Sequence, residues 1–480
     1  MLYFSKSPRS ENTAIRNRKT LSLILLIFLL SAGLRLGLVL FNRESNDNHF
    51  EVIQLILKTN RLPEKADCWE CYQPKLFHYA SAAFLRLTGL EKTNPGSMIL
   101  AVELLNYTAG LITLLVIGLF LYRLPGENGF LRVIIFGIVA LNPGLIGINS
   151  QATNDTFAIL FSTLALYFTY AFLLKKRPIT LLMMLLFVVL GICSKTNVWI
   201  TAIAILLALL IQAWVKNQNR ARRLLIAGLF GAATVLVSLL NPLNQYIPNN
   251  REYGSPILLN IDKQPWPHFF KQTSSLRPGI RSIQDGILTF KFSDLLRYPR
   301  IDHANSYSPN RTSLWAQIYG RANSVHFPNW PESWATIGDQ GFALSRAIFL
   351  LALLPTLLLL AGFFTEIYLT IKSIIKRDQS TAEATYFGLT ALACTGFVLF
   401  IILYSLEYRD FSVMKEIFLY PALLPFALLF LRAGEWMIAR LGERQHWLKI
   451  GFGIWMAALF ILYSADIASM VRLLFSRRFG

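Results

Sequence analysis

Residues 46–49 read Asn46-Asp47-Asn48-His49, and residues 68–74 read Cys68-Trp69-Glu70-Cys71-Tyr72-Gln73-Pro74. A short helical pattern ending at Leu62-Pro63 separates them, and a second amphipathic run, Leu76–Leu87, follows. The polar knot stands directly after Leu21–Leu40, an apolar run of spanning length, about 20 residues. Carboxylate, imidazole and amides at a bilayer border are costly to hold there and point to function. A solvated connector between two spanning helices is the plain alternative. Either way the stretch 42–95 is an outward loop with its own juxtamembrane helices, and the rest of the chain is read from it.

Composition agrees with a membrane protein. Of 480 residues 54% are apolar, 13% aromatic and 15% charged, and the mean hydropathy is +0.46. Those values exclude an ordinary soluble enzyme. The net charge of +19 does not indicate nucleic acid, because the basic residues form short clusters between apolar runs, a topology signal. Leu21–Leu40 lacks a small-residue cleavage site after it and reads as a span, not a secretory signal. Of four cysteines, Cys193 and Cys394 fall in apolar runs and read as packing residues. Cys68 and Cys71 form a lone Cys-x-x-Cys whose only nearby histidines are His49 and His78, so a local disulfide or two thiols fits better than zinc.

Eleven apolar windows follow one another: Leu21–Leu40, Met98–Tyr122, Phe130–Ile148, Phe157–Leu174, Ile179–Ile192, Val198–Trp214, Leu224–Leu240, Ala347–Thr370, Ala384–Tyr404, Ile417–Leu431 and Ile450–Ile467. The expected fold is therefore an all-α polytopic membrane protein of about eleven transmembrane helices. Starting inside puts the basic clusters at 6–19, 123–132, 175–177, 216–223, 372–377 and 432–449 on one face, the cytoplasmic one. Arg472, Arg477 and Arg478 then lie outside, against that bias. The chain divides into a cytoplasmic tail (1–20), a membrane catalytic module (21–240), a large outward insert (241–346) and a second membrane module (347–480). The insert, rich in Pro, Trp, Asn and Ser, is too long for a structureless connector and is expected to order against the membrane domain. Its Ser313-Leu314-Trp315-Ala316 and Phe327-Pro328-Asn329-Trp330 suit interfacial anchoring or a substrate role.

Polar residues collect on the outward face. Asp47 follows the first span, Glu103 and Asn106 lie near the start of the second, and Asn154-Asp155 opens the fourth. Either of the last two could simply cap a helix. Two carboxylates on one surface can instead divide base and metal-ligand roles. Lys195, Arg251, Arg321, Arg409 and Lys415 stand on the same face, against the charge bias; they are either scattered solvated cations or the site of an anionic phosphate or diphosphate. Lys195, between Cys193 and Trp199, would need a counter-charge if buried. This one-sided decoration, without an internal repeat, suits chemistry between a membrane-embedded phosphate lipid and a polar acceptor. A flippase or transporter of lipid-linked sugar and a non-catalytic membrane scaffold are the competing readings.

These residues, in this order, resemble the polyprenyl-phosphate-dependent membrane glycosyltransferases of the type C fold, nearest to the protein O-mannosyltransferase and aminoarabinose transferase superfamily. The resemblance covers most of the chain in layout, with specific motifs in about thirty residues. It implies transfer of one sugar, with inversion, from a polyprenyl-phosphate carrier to an acceptor glycan, lipid or protein. It places the site on the extracytoplasmic side of the cell (inner) membrane. Asp47 would be the catalytic base or a metal ligand, and Asp155 the second acid, positioning a metal or the donor. Lys195, with Arg251 and Lys415, would hold the carrier phosphate; Asn48, His49, Gln73 and Asn154 would support them. A divalent metal on Asp47 and Asp155 is possible by the same analogy. Two departures stand out: Asp47 is flanked by Asn46 and Asn48 where paired acids are common, and the expected Pro-Pro pair appears as Pro74-Lys75, which makes Lys75 a further candidate phosphate contact.

Overall fold

The computed structural model describes residues 11–43, 47–124, 128–215, 219–258, 279–280, 282–299, 312–327, 334, 339–376, 382–408, 413–440 and 445–479. They form helices α1 (Glu11–Asn42), α2 (His49–Thr59), α3 (Leu76–Leu87), α4 (Pro95–Arg123), α5 (Gly129–Ala140), α6 (Pro143–Asn149), α7 (Asp155–Lys175), α8 (Pro178–Ser194) and α9 (Trp199–Val215). These continue as α10 (Arg220–Leu240), α11 (Tyr246–Tyr253), α12 (Ile283–Gly286), α13 (Phe292–Arg297), α14 (Leu314–Asn323), α15 (Asp339–Lys376), α16 (Ala382–Tyr408), α17 (Leu423–Arg440) and α18 (Gln445–Phe479). The all-α polytopic class is thus observed.

Among the described residues nine helices are long and apolar enough to cross a membrane, or ten if the bent pair α5 and α6 is one span. Two of the eleven windows fall outside that count by length or by a bend. Window Ile179–Ile192 is α8, a shorter apolar helix of 17 residues. Window Phe130–Ile148 is broken by 51° between α5 and α6. The break is written in Leu141-Asn142-Pro143-Gly144: proline disfavours helix at the residue before it and is preorganised for the first turn after it. Asn142 caps α6 by accepting from Leu145 N at 2.9 Å. The carbonyl of Ala140, left at the broken end, accepts from Arg35 Nη1 at 2.9 Å and Ser31 Oγ at 2.5 Å. Arg35, fully buried in α1, also donates from Nε to Asn149 Oδ1 at 3.3 Å. A buried arginine thus satisfies the carbonyl left at the end of α5, as buried polar backbone requires, and ties it to the far end of α6.

Around this break α1 packs on α4, α5 and α18, α7 on α4 and α8, α9 on α10 and α16, and α15 on α16, α17 and α18. At the crossing of α15 and α17 a Cβ on Gly362 would overlap the Leu429 backbone, so only glycine allows that approach. Arg432 Nε on α17 pairs with Glu366 Oε1 on α15 at 2.8 Å, matching charge inside the bundle. Helix α18 brings its C-terminus back to the exit of α1. Arg478 Nη1 donates to Leu40 O at 3.4 Å, so the terminal arginines sit at the same end of the bundle as the first outward loop, as the topology expects.

The described parts of the insert are tied to that end. Lys75 N donates to Leu243 O at 2.8 Å, and Trp334 Nε1 donates to Asn42 Oδ1 at 2.6 Å. Trp315 bonds through Nε1 to Ile287 O at 2.6 Å, so its indole joins two pieces of the insert. Asn46, Pro328-Asn329-Trp330 and Arg409 lie outside the described residues.

Candidate active site

The first outward loop is shaped by its asparagines and aspartate. Asp47 and Asn48 take φ of 52° and 55°, a left-handed pair that short polar side chains tolerate better than other non-glycine residues. The turn aims Asp47 inward and starts α2 at His49. Helices α2 and α3 then bury Phe50, Val52, Ile53 and Ile56 against Phe77, Ala82 and Leu85. His49 Nδ1 lies 3.1 Å from His78 Nε2, joining the two juxtamembrane helices. Burial, above all, lowers the His49 pKa to about 4, so the ring is neutral near pH 7.

Two carboxylate–ammonium pairs converge beside this turn. Lys415 Nζ stands 2.9 Å from Asp47 Oδ2, and Lys195 Nζ stands 2.6 Å from Asp155 Oδ1. The side chains of Lys195 and Asp155 are only 13% and 4% exposed, so the counter-charge that a buried Lys195 demands is Asp155. The two pairs share one field, since Lys195 acts on Asp47 and both carboxylates and both lysines act on His49. Burial alone would push the Asp47 carboxyl up, but Lys415, His49 and Lys195 outweigh it and hold the pKa below the usual value. Lys195 also lies 5.3 Å from the Phe418 ring centroid.

Asn154 occupies the position before α7 but makes no side-chain capping bond. Its amide instead donates to Gln73 Oε1 and, at 3.0 Å, to Ser194 O. The helix-cap alternative is therefore not what the side chain does: it ties the Cys68–Pro74 loop and the Lys195 turn to the base of α7. Thr153 Oγ1 donates to Asp155 Oδ2 at 3.0 Å, leaving Oδ1 for Lys195. Asn106, fully buried in α4, braces the same turn by donating to the carbonyls of Gln151 (2.6 Å) and Thr153 (2.7 Å). Glu103 accepts from Asn42 Nδ2 at 2.5 Å.

The remaining sequence candidates divide. Gln73 donates to Glu70, within a loop closed by a Cys68–Cys71 disulfide. Lys75, fully buried, turns its ammonium onto the carbonyls of Cys71 and, at 2.7 Å, Gln73, and so holds the loop. Arg251 is exposed at the end of α11 and forms no ion pair with either carboxylate. Glu70 and Glu416 joined the site without having been singled out. Burial, aided for Glu70 by the Asp47 charge, raises Glu70 to about 7. Glu416 rises to about 7 through burial, against the pull of Arg321. The signal for Glu70 was its place between Cys68 and Gln73, and that for Glu416 its adjacency to Lys415. A cavity of about 50 Å³ opens beside Lys415, lined by Gln151, Arg321, Trp334 and Glu416; the Gln151 Oε1 in its wall is buried without a hydrogen-bond partner.

Among the described residues no group of three or more His, Cys, Asp or Glu side chains could hold a metal ion. Each candidate carboxylate already has an ammonium at bonding distance where a cation would sit. As arranged, this donor set fits two lysines and not a divalent metal.

Residues 73–240 match the profile of the dolichyl-phosphate-mannose-protein mannosyltransferase family. No curated protein matches the chain. Among solved structures, the oligosaccharyltransferase of Archaeoglobus fulgidus in complex with Zn and sulfate aligns at 14% identity and a TM-score of 0.47, over 93% of this chain and 53% of its own. The AglB oligosaccharyltransferase of the same organism, with an inhibitory peptide and a dolichol-phosphate, aligns at 12% and 0.48, over 93% and 56%. ArnT from Cupriavidus metallidurans, bound to undecaprenyl phosphate, aligns at 12% and 0.34, over 82% and 79%. The chain spans about half the length of the two oligosaccharyltransferase chains. From Gln73 through the end of α10, about a third of its length, the chain is similar to the dolichyl-phosphate-mannose-protein mannosyltransferases, the relationship its outward-loop residues suggested.

Proposed function

We propose that this protein is an inverting membrane glycosyltransferase that moves one sugar from a polyprenyl-phosphate carrier to an acceptor hydroxyl on the non-cytoplasmic face. The observation that best supports this reading is the pair of carboxylate–lysine contacts, Asp47–Lys415 and Asp155–Lys195, whose charges act together on His49 at one end of the bundle. The family match over 73–240 and the amphipathic helices α2 and α3 support it.

In this reaction the carrier phosphate competes with Asp47 and Asp155 for the two ammonium groups. As Lys415 turns to phosphate, Asp47 loses the partner that lowered its pKa, and burial raises its basicity. Asp47 then accepts the acceptor hydroxyl proton while that oxygen attacks the anomeric carbon. The bond from that carbon to the phosphate oxygen breaks, and its electron pair leaves on the phosphate, which Lys195 and Lys415 neutralise. Attack opposite the leaving phosphate inverts the anomeric centre. Asp155 orients Lys195, and the Gln151–Glu416 cavity offers polar groups to the sugar or acceptor hydroxyls.

The test is mass spectrometry of envelope glycans, lipids and glycoproteins from cells carrying the wild-type chain, no chain, or Asp47→Asn. A sugar missing in the last two names both sugar and acceptor. Restoration of that sugar by Asp47→Asn rules out the assigned base.

A further inference from the structure

The C-terminal arginines that defy the charge bias converge on a second cleft. Where α1 leaves the bundle, a cavity of about 460 Å³ is lined by Arg43, Asn94, Ser97, Arg477 and Arg478 among others, with no carboxylate among its described lining residues. Arg43 donates to Gly96 O at 3.0 Å and to Leu40 O at 3.4 Å; Arg478 also uses Leu40 O. Carbonyl oxygens orient these two guanidinium groups. Burial, then the neighbouring Arg478 charge, lowers the pKa of Arg43, and the Glu103 carboxylate offsets this only in part. The first turn of α4, with Asn94 as its cap, adds the positive end of a 29-residue helix dipole.

An apolar plate adjoins the charged wall. Phe41 meets Phe475 at 5.3 Å and Phe479 at 6.3 Å, and Phe475 meets Phe479 at 5.0 Å. Phe475 and Phe479 are nevertheless 49% and 65% exposed. Clustered arginines hold phosphate oxygens through planar, charge-assisted bonds, and exposed phenylalanines at a span's end suit acyl chains. We propose that this cleft binds the phosphate ester of an anionic membrane lipid, its acyl chains lying along Phe475 and Phe479. Phosphate here offsets the repulsion between Arg43 and Arg478. The site is separate from the Asp47 pocket and stands whether or not the chain transfers sugar.

The full chain in detergent, titrated by native mass spectrometry with phosphatidylglycerol and with phosphatidylcholine of the same acyl chains, tests it. Wild type is expected to hold one phosphatidylglycerol at about tenfold lower concentration than phosphatidylcholine, a difference of one decade in Kd. Arg477→Gln/Arg478→Gln should lose that preference and Arg477→Lys/Arg478→Lys should keep most of it. Equal retention of the two lipids by wild type overturns the proposal without recourse to any variant, as does an unchanged preference in the glutamine pair. Inorganic phosphate should displace the lipid only at far higher concentration. If it occupies the cleft as tightly as phosphatidylglycerol, the site takes free phosphate and the lipid assignment is wrong.

Discussion

Lys415 Nζ lies 2.9 Å from Asp47 Oδ2, joining residues 368 positions apart in sequence. The contact closes the first outward loop against the segment before α17 and keeps the Asp47 carboxyl ionised. Replacing Lys415 by methionine therefore has two expected effects. The carrier KM rises because a phosphate contact is gone, and the acid limb of the pH–rate profile moves to higher pH because burial of Asp47 is no longer offset. Initial rates against carrier concentration, repeated across pH, separate them; a profile that stays in place denies that Lys415 sets the Asp47 charge.

Lys195→Met strands a carboxylate that is 4% exposed. Breaking a buried pair from one side costs about 3–5 kcal/mol, whereas removing both charges costs much less. Asp155→Asn/Lys195→Met is thus expected to melt above Lys195→Met alone, though both lose activity. A double variant that melts at or below the single one contradicts a coupled pair.

Glu70 and Glu416 titrate near pH 7 in the folded chain from an ordinary value of 4.5. The native state then binds more protons than the unfolded one across that interval, so their contribution to stability falls as pH rises from about 4.5 to about 7 and is level above it. Glu416→Gln is expected to flatten part of this slope, raising the melting temperature relative to wild type by a few degrees at pH 8 and little at pH 4.5. Melting curves at both pH values decide it; a stabilisation larger at the lower pH has the wrong sign.

A methyl on Gly144 would stand 2.8 Å from Arg321 O and 2.9 Å from Glu416 Oε1, and would collide with the Tyr420 hydroxyl. Gly144→Ala should displace the Lys415-Glu416 segment and cut transfer at least tenfold, while Gly228→Ala, with open space around it, should not. Assaying the two side by side checks that the effect belongs to the site.

Because ammonium groups occupy the positions that a metal would take, exhaustive chelation is expected to leave the transfer rate within about twofold. Loss of activity on chelation, restored by one divalent cation, would show that a metal displaces the lysines in the working enzyme.

Much of this was legible in the chain. Apolar runs gave the spans, and the polar knot at Asp47, the Asn154-Asp155 pair and the crowded surroundings of Lys195 pointed to the candidate site, because ionisable groups at a membrane edge are costly without partners. Hydropathy was blind to the α5–α6 bend, which depends on Asn142-Pro143 and on Arg35 arriving from another helix. The capping potential of Asn154 is a local property, whereas its bonds to Gln73 and Ser194 exist only after three loops meet. The same holds for Lys75, whose burial could not be seen from Pro74-Lys75, and for Glu416, which becomes a site residue only when the segment before α17 folds over α6.

The most direct measurement is release of free polyprenyl phosphate by purified protein reconstituted with lipid-linked sugars extracted from the parent membranes. Wild type should liberate polyprenyl phosphate as the acceptor gains sugar, and Asp47→Asn, inserted and folded to the same extent, should liberate none above background. Movement of intact carrier across the vesicle without release, or equal release by Asp47→Asn, contradicts transfer by an Asp47 base.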